Sequence, residues 1–226
     1  MDWERYEALL RGEYREKFEN FKNLLLYYNN KFNLTAITDE NEIYLKHFLD
    51  SVAGERYFKQ GARVVEIGSG GGFPSLPLKI IRDDLSFLLV ESTGKKCTYL
   101  REAVDKLGLK GVDVLNARAE EAARQDMHRE KYDVAVARAV ARLNTLSEYC
   151  LPFVAKGGRF VAYKGDCDGE IKEAERAVKV LGGELEAVER YELNGEKRTL
   201  VVVKKVAPTP FAYPRGQGKE RKCPII

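Results

Sequence analysis

An acidic residue followed by closely spaced glycines is the feature of this sequence best suited to chemistry. Glu66 is followed by Gly68, Gly70 and Gly72, which gives the pattern acid-x-G-x-G-x-G. An apolar, β-like run leads into this stretch, and a proline follows it. Glycine loses more conformational freedom on folding than other residues, so a cluster of glycines indicates a sharp turn or a backbone that approaches a ligand closely. The pattern therefore predicts a ligand-binding loop.

Two classes of ligand are bound by such a loop, dinucleotides and S-adenosylmethionine. Gly68 and Gly70 match the dinucleotide motif G-x-G-x-x-G, but Phe73 stands at its third glycine position. The complete match is to acid-x-G-x-G-x-G, which resembles the first motif of class I methyltransferases. An acid before that loop can favour the positive groups of S-adenosylmethionine. A nicotinamide-dependent oxidoreductase is the alternative on this motif.

Further polar residues follow the later apolar runs. Glu91 ends the second run, where an acid can accept hydrogen bonds from the two hydroxyls of a ribose. Ala119 and Glu120 follow the third run and are placed to meet the edge of an adenine. Arg138 ends the fourth run, and a buried arginine requires an anionic partner. The cofactor carboxylate, an RNA phosphate and an internal salt bridge are all candidates for that partner.

Strands that alternate with helices would bring these residues to one edge of a sheet. We predict parallel strands in "ARVVEI", "LSFLLVE", "VDVLNA", "YDVAVARA" and "GGRFVAYK", and a closing antiparallel hairpin from "ELEAVERYEL" and "KRTLVVVKK". This order predicts an α/β fold, with a mostly parallel, doubly wound sheet of seven strands and helices on both faces. Ligands of such sheets bind beyond the carboxyl ends of the strands.

The regions on either side of this pattern differ from it. Residues 1–60 have helical periodicity, with Asp39 as a candidate N-cap and Glu42 three positions later as its capping-box partner. Residues 207–226 have a tail-like composition with several basic residues. We predict a helical extension at 1–60, a methyltransferase core at 61–206 and a basic C-terminal tail at 207–226.

Charge is distributed unevenly along the chain. The net charge is +3, but residues 197–226 hold eight Lys or Arg against one Glu, a net charge of +7 that leaves −4 for the rest. A basic end on an acidic body suggests a polyanionic partner, and a solubilising tail is the alternative. There is no apolar run of membrane-spanning length and no signal peptide, so we expect a cytoplasmic protein without membrane contact. The four cysteines are scattered and only two histidines are present, which predicts no metal site.

Several longer segments together identify a family. They are "FNLTAIT", "HFLDS", "EIGSGGGFP", "VESTGKKCTYL", "ARAEE", "DVAVARAVARL", "GGRFVAYKG" and "YPRGQGKERKCPI", and they run in order from Phe32 to the end. The chain resembles the small-subunit ribosomal RNA guanine-N7 methyltransferases, formerly called glucose-inhibited division protein B. Two departures concern only local loop geometry: Ser75 stands where the family usually has glycine, and Glu66 where it usually has aspartate.

The resemblance implies a class I, Rossmann-like methyltransferase fold and S-adenosylmethionine as cofactor. It implies a guanine of 16S rRNA as substrate, with the small ribosomal subunit or its precursor as partner, and we expect a monomer. The family's cofactor contacts fall on Gly68, Gly70, Phe73, Glu91, Ser92, Thr93, Ala119, Glu120 and Arg138. RNA contact requires positive charge near these positions or in the tail. The candidates are Arg118, Arg142, Lys164, Arg215, Lys219 and Arg221.

Methylation of guanine N7 needs no general base, because N7 already carries a lone pair. We therefore predict no catalytic base and expect catalysis by positioning and by exclusion of water. Asp50 and Asp133 are candidates for stabilising the cationic product ring, and His47 is predicted to be packed and hydrogen-bonded rather than catalytic.

A non-catalytic RNA-binding or assembly factor with the same fold is a further alternative to the enzyme. A cytosine-C5 methyltransferase would need a cysteine nucleophile at the edge of the sheet. Cys97 and Cys150 lie within or at the end of predicted helices and are poorly placed for that role.

Overall fold

A seven-stranded sheet forms the centre of the computed structural model, which describes all 226 residues. The strands are β1 (Arg63–Ile67), β2 (Ser86–Glu91), β3 (Val112–Asn116), β4 (Tyr132–Arg138), β5 (Val154–Lys164), β6 (Gly183–Leu193) and β7 (Glu196–Lys205). Their order across the sheet is β3-β2-β1-β4-β5-β7-β6. Strands β1 to β5 are parallel, and β7 pairs antiparallel with both β5 and β6. The predicted parallel sheet with a closing hairpin is confirmed.

Helices of 3 to 15 residues precede the sheet. They are α1 (Trp3–Ala8), α2 (Arg15–Asn29), α3 (Glu40–Glu42) and α4 (Asp50–Val52). π-Helical segments at Leu9–Glu13 and Ile43–Leu49 join α1 to α2 and α3 to α4. The side chain of Asp39 accepts a hydrogen bond from the Glu42 N–H (3.0 Å), which confirms Asp39 as an N-cap.

The remaining helices connect or follow the strands. They are α5 (Ser75–Ile81), α6 (Gly94–Lys106), α7 (Ala119–Ala122), α8 (Leu143–Cys150), α9 (Asp168–Val180) and α10 (Lys219–Lys222). Helix α5 follows the glycine loop, and α6 and α7 follow the ends of β2 and β3. None of the helices is both long enough and apolar enough to cross a membrane.

Two hydrophobic cores cover the two faces of the sheet. Side chains of adjacent strand residues point to opposite faces, so Val64 belongs to one core and Val65 to the other. The Val64 core also contains Phe18, Phe21 and Phe48 from the N-terminal helices, all of them fully buried. The N-terminal helices therefore pack on the sheet and share its core.

The C-terminal tail is tied to the second face of the sheet. Arg129 donates hydrogen bonds to the carbonyl oxygens of Thr209 (2.8 Å) and Tyr213 (2.9 Å). Arg215 donates from Nη2 and Nε to the carboxylate of Glu148 on α8, at 2.7 and 3.0 Å. Because Glu148 is fully buried, this ion pair anchors the tail to the body of the protein.

Candidate functional site

The glycine loop lies at the carboxyl end of β1. The Gly68 N–H donates to the Val90 carbonyl (2.8 Å), which places the loop against the end of β2. Gly68 has a φ of +70°, and a Cβ added there would lie 2.7 Å from a methyl group of Val140. A side chain is thus excluded at Gly68 both by backbone conformation and by space. Gly70 also has a positive φ, +51°, so the loop presents bare backbone at the edge of the sheet.

Glu91 joins the glycine loop to the next loop. Its carboxylate accepts hydrogen bonds from the Gly70 N–H (3.0 Å) and the Thr93 N–H (2.8 Å). These bonds hold the carboxylate in place at the end of β2 and leave further lone pairs free. A fixed, buried carboxylate beside a glycine loop is suited to accept hydrogen bonds from a ribose.

Glu66 is fully buried in β1 beneath this loop. Neither of its carboxylate oxygens has a hydrogen-bond partner, and the Ser75 hydroxyl also lacks one. Burial raises the pKa of Glu66 from 4.5 to about 8; the nearby polar groups of Ser75 and then the Arg138 guanidinium oppose this rise, and the Glu91 carboxylate adds to it. Glu66 is therefore neutral at pH 7, and a cationic ligand in the loop would favour its ionised form.

Ala119 and Glu120 begin α7, beside the end of β3. Tail helix α10 approaches the same region. Arg221 of α10 and Glu120 of α7 both lie close enough to Tyr149 of α8 to shift the pKa of its hydroxyl. Burial raises the pKa of Tyr149, a hydrogen bond with Arg221 lowers it, and the charge of Glu120 raises it. The edge of the sheet thus carries a loop suited to a ribose at Glu91 and a second polar position at Glu120.

A cavity of about 480 Å³ opens beside the glycine loop. Its walls are the glycine loop, the ends of β4, β5 and β7, the loop between α2 and α3, and the π-helical segment before α4. Five cations line it, Lys46, Lys96 from α6, Arg138, Lys164 and Arg198, whereas Asp50 is the one carboxylate that does. A cavity with this charge balance is suited to an anionic ligand.

Arg138 connects the N-terminal segment to the end of β4. Its Nη1 donates to the Asp50 carboxylate and the Lys46 carbonyl, both at 3.1 Å, and its Nη2 lies 3.0 Å from Nδ1 of His47. The guanidinium also lies 4.8 Å from the centre of the Phe73 ring. These contacts hold Arg138 against the cavity wall, with an internal salt bridge to Asp50 as one of its partners.

Asp50 extends this network to the hairpin. Its Oδ1 accepts a hydrogen bond from the Tyr191 hydroxyl (2.8 Å) and lies 3.7 Å from Nε of Arg198. The side chain of Asp50 is only 4% exposed, so its charge is shared among these partners inside the protein. Asp133 is the other candidate for charge stabilisation. It accepts a hydrogen bond from the Arg63 N–H where β1 and β4 begin, at the end of these strands away from the glycine loop.

His47 is packed and hydrogen-bonded, as its sequence context predicted. The ring stacks on Phe73 with 4.5 Å between ring centres, and Nε2 lies 2.7 Å from the Thr35 hydroxyl. Burial, followed by the charge of Arg138, lowers the pKa of His47 to about 3. The imidazole is therefore neutral, and both of its nitrogens have protein partners.

The predicted RNA-binding residues fall into two groups. Lys164, Arg142 and Arg215 form ion pairs with Glu170, Glu173 and Glu148 respectively, and only Lys164 of the three lines the cavity. Arg118, Lys219 and Arg221 are exposed. The structure thus gives Arg215 an anchoring contact, whereas the exposed cations keep their charge available to a partner.

Sequence reasoning assigned no role to several residues of the cavity. Thr35, Lys46 and Arg198 come from the N-terminal segment and the hairpin, far in sequence from the glycine loop. Tyr191 of the hairpin does not line the cavity, but its hydroxyl donates to Asp50, which does. The sequence did contain a clue to Thr35, which belongs to the segment "FNLTAIT" that carried part of the family resemblance. It contained no motif that points to Arg198.

Comparison with known proteins extends these observations. Residues 14–201 match the family model described as rRNA small subunit methyltransferase G. A protein of Roseiflexus castenholzii named ribosomal RNA small subunit methyltransferase G is 50% identical over 214 residues, which cover 93% of this chain and 92% of that protein. A protein of the same name from Lactobacillus acidophilus is 45% identical over 224 residues, which cover 96% and 93% of the two chains.

Solved structures with the same fold are more distant in sequence. A S-adenosylmethionine-dependent O-methyltransferase of Thermotoga maritima has a TM-score of 0.56 at 16% identity, over 82% of this chain and 72% of that chain. The tRNA methyltransferase TrmK of Bacillus subtilis has a TM-score of 0.56 at 15% identity, over 73% and 67% of the two chains. These similarities show the class I methyltransferase fold.

Proposed function

The chain belongs to the rRNA small subunit methyltransferase G family, and we propose on that premise that it transfers the methyl group of S-adenosylmethionine to N7 of a guanine in 16S rRNA. The observation that carries the proposal is that one glycine loop joins Glu91 to the basic cavity. The Gly70 N–H donates to the Glu91 carboxylate, and Gly68 and Gly70 also line the cavity. The proposal places this reaction in the cytoplasm, on the small subunit or its precursor, and assigns it to a monomer.

The residues present fit S-adenosylmethionine. The unpartnered carboxyl of Glu66 is matched to a ligand with positive groups, and the bare backbone at Gly68 and Gly70 leaves room for close approach. Further contacts are assigned, as proposals, to Phe73, Glu91, Ser92, Thr93, Ala119, Glu120 and Arg138. The bound cofactor would supply an electrophilic methyl group on its sulfonium.

The chain's own residues favour catalysis by positioning. Guanine N7 has a free lone pair, so no proton has to be removed before it attacks. His47 is neutral and both its nitrogens are engaged, and the carboxylate of Asp50 is engaged by Arg138 and Tyr191. What these groups can do is hold the cavity wall rigid, exclude water and keep N7 in line with the methyl group.

RNA contact is proposed at two places. Lys164 lines the cavity, where its charge can meet a phosphate close to the target base. Arg118, directly before α7, and Lys219 and Arg221, on α10, are exposed, and phosphates farther along the strand can bind there. Arg215 supports this surface indirectly, because its ion pair with Glu148 fixes the tail.

Mass mapping of methylated nucleotides tests the proposal. Unmethylated small subunits and free 16S rRNA would be incubated with S-adenosylmethionine and either the wild-type protein or Glu91→Ala as a matched control. We expect a single 7-methylguanosine with the wild type and a loss of product with the variant, because Glu91 is the proposed ribose contact. Absence of product with both substrates, or methylation of a different base, would contradict the proposal.

A further inference from the structure

Thr35 lies on the wall of the cavity, in the loop between α2 and α3. Leu34, Thr35 and Ile37 all line the cavity. The Asn29 side-chain oxygen accepts hydrogen bonds from the N–H groups of Leu34 (2.8 Å) and Thr35 (3.0 Å), which fixes the backbone of the loop. The position of the Thr35 hydroxyl is therefore set by the fold.

The direction of the hydrogen bonds that reach Thr35 is determined by Arg138. A guanidinium can only donate, so Nη2 of Arg138 donates to Nδ1 of His47 at 3.0 Å. Because the low pKa of His47, about 3, keeps its ring neutral, the single ring hydrogen must be on Nε2. Nε2–H then donates to the Thr35 hydroxyl oxygen at 2.7 Å.

This order of donors leaves Thr35 with one possible role. Its hydroxyl oxygen also accepts a hydrogen bond from the Ile37 N–H at 3.0 Å. A hydroxyl has two lone pairs and one hydrogen, so both lone pairs are used and only the hydrogen is free. No protein group accepts this hydrogen, although the residue is part of the cavity wall. Thr35 therefore presents a hydrogen-bond donor, and no acceptor, to whatever enters the cavity.

Guanine and adenine differ at the position such a donor would meet. Next to N7, guanine carries the O6 acceptor and adenine carries the N6 amino donor. We propose that the Thr35 hydroxyl donates to O6 of the target guanine and so selects guanine over adenine, an inference that rests on the proposed methyl transfer to N7. The hydrogen bonds from Arg138 to His47 and from His47 to Thr35 fix the Thr35 hydroxyl as a donor. An adenine amino group would therefore face a donor that has no free lone pair to accept its hydrogen.

Other donors near Thr35 are already engaged by carboxylates. Lys46 is paired with Glu42 and Glu196, both at 2.7 Å. Arg198 is paired with Glu196 at 2.6 Å and lies 3.7 Å from Asp50. Thr35 differs from these cationic neighbours in being a neutral donor, on an oxygen that hydrogen bonds from His47 and Ile37 hold in place.

Removing one group from the protein and one from the base tests this contact. Small subunits would be reconstituted with 16S rRNA carrying either guanine or 2-aminopurine at the target position; 2-aminopurine keeps N7 and the 2-amino group but lacks O6. Single-turnover methylation would be measured with wild-type protein, Thr35→Ser and Thr35→Val. We expect the wild type and Thr35→Ser to prefer guanine by about 10- to 100-fold, and Thr35→Val to methylate both bases at similar rates.

Two controls separate base selection from folding and from general RNA binding. Calorimetric titration with S-adenosylmethionine shows whether Thr35→Val keeps its cofactor site, and Thr35→Ala provides the same comparison if it does not. Lys164→Ala should slow both bases by the same factor, because a phosphate contact does not distinguish O6. The inference is overturned if Thr35→Val keeps the guanine preference or slows both bases equally. Failure of the proposed function is distinguishable, since the wild type would then form no 7-methylguanosine at all.

Discussion

Replacing Glu66 with Gln should abolish a proton release that accompanies cofactor binding. Glu66 is fully buried without a hydrogen-bond partner, and its pKa is raised to about 8. The difference from its ordinary value of 4.5 corresponds to roughly 5 kcal/mol against the ionised form, at about 1.4 kcal/mol per pH unit. Most of the molecules therefore hold the proton at pH 7. Binding of a sulfonium and an ammonium beside the carboxyl favours ionisation, so most of that proton should leave.

Isothermal titration calorimetry in two buffers of different ionisation enthalpy measures the protons released. The cofactor's own amino group titrates in a similar range, about pH 8, so the quantity of interest is the difference between wild type and Glu66→Gln. We expect the wild type to release up to one proton more than Glu66→Gln at pH 7, and less as the pH rises through about 8. The affinity of the wild type for the cofactor should accordingly rise with pH up to about 8. A glutamine side chain does not titrate, so residue 66 should add no pH dependence to the affinity of the Glu66→Gln variant.

Stability gives an independent measurement with a definite sign. Because the folded-state pKa is raised, the stabilisation from protonated Glu66 is complete below pH 4.5 and is lost as pH rises through about 8. The free energy of unfolding of the wild type, relative to Glu66→Gln, should therefore fall by a few kcal/mol between pH 5 and pH 8.5. Equal proton release by both proteins, together with parallel stability curves, would refute the assignment of Glu66 as the titrating group.

The contacts of Asp50 and of the tail give further predictions. Asp50→Asn should lower the free energy of unfolding by about 3–5 kcal/mol, because it removes the buried partner of Arg138; urea unfolding measures this, and a change below 1 kcal/mol would contradict it. Arg215→Ala should cost about 3 kcal/mol by leaving Glu148 buried and unpaired, whereas Lys219→Ala, on an exposed side chain, should leave stability unchanged. Lys219→Ala should instead weaken RNA binding and reduce the slope of log affinity against log salt by about 1; an unchanged slope would exclude a phosphate contact there.

Local sequence patterns predicted the sheet well because parallel strands covered on both faces have a distinctive composition. The apolar runs, the glycine loop and the "NGE" turn of the hairpin all lie where the sequence placed them. Strand β5 begins at Val154, three residues earlier than predicted, since pairing of Tyr132 with Val154 continues the sheet past a register shift. That extension depends on a partner strand, which local periodicity does not contain.

The polar contacts of the site were much harder to predict from the sequence. Arg138 was left with three possible anionic partners, and the structure shows that one of them, an internal salt bridge, is made with Asp50. The basic tail was assigned to RNA by its charge, but composition cannot reveal that Glu148 is buried beside Arg215. These pairs are separated by 88 and 67 positions in the chain, and only folding brings them together.

The N-terminal helices are better described as part of the site than as an appendage to it. Without them the basic cavity would lose the wall that carries Thr35, His47 and Asp50. Arg138 would also lose each protein hydrogen-bond partner that the structure gives it, since Lys46, His47 and Asp50 all come from this segment. A guanidinium without those partners would be free to turn toward solvent, so the shape of the cavity depends on the docking of a segment remote from the glycine loop. The proposed ribose contact is different, because Glu91 takes its N–H partners from Gly70 and Thr93, within the sheet's own loops. Damage to the N-terminal docking should consequently impair the cavity proposed for the target base more than it impairs the proposed ribose contact.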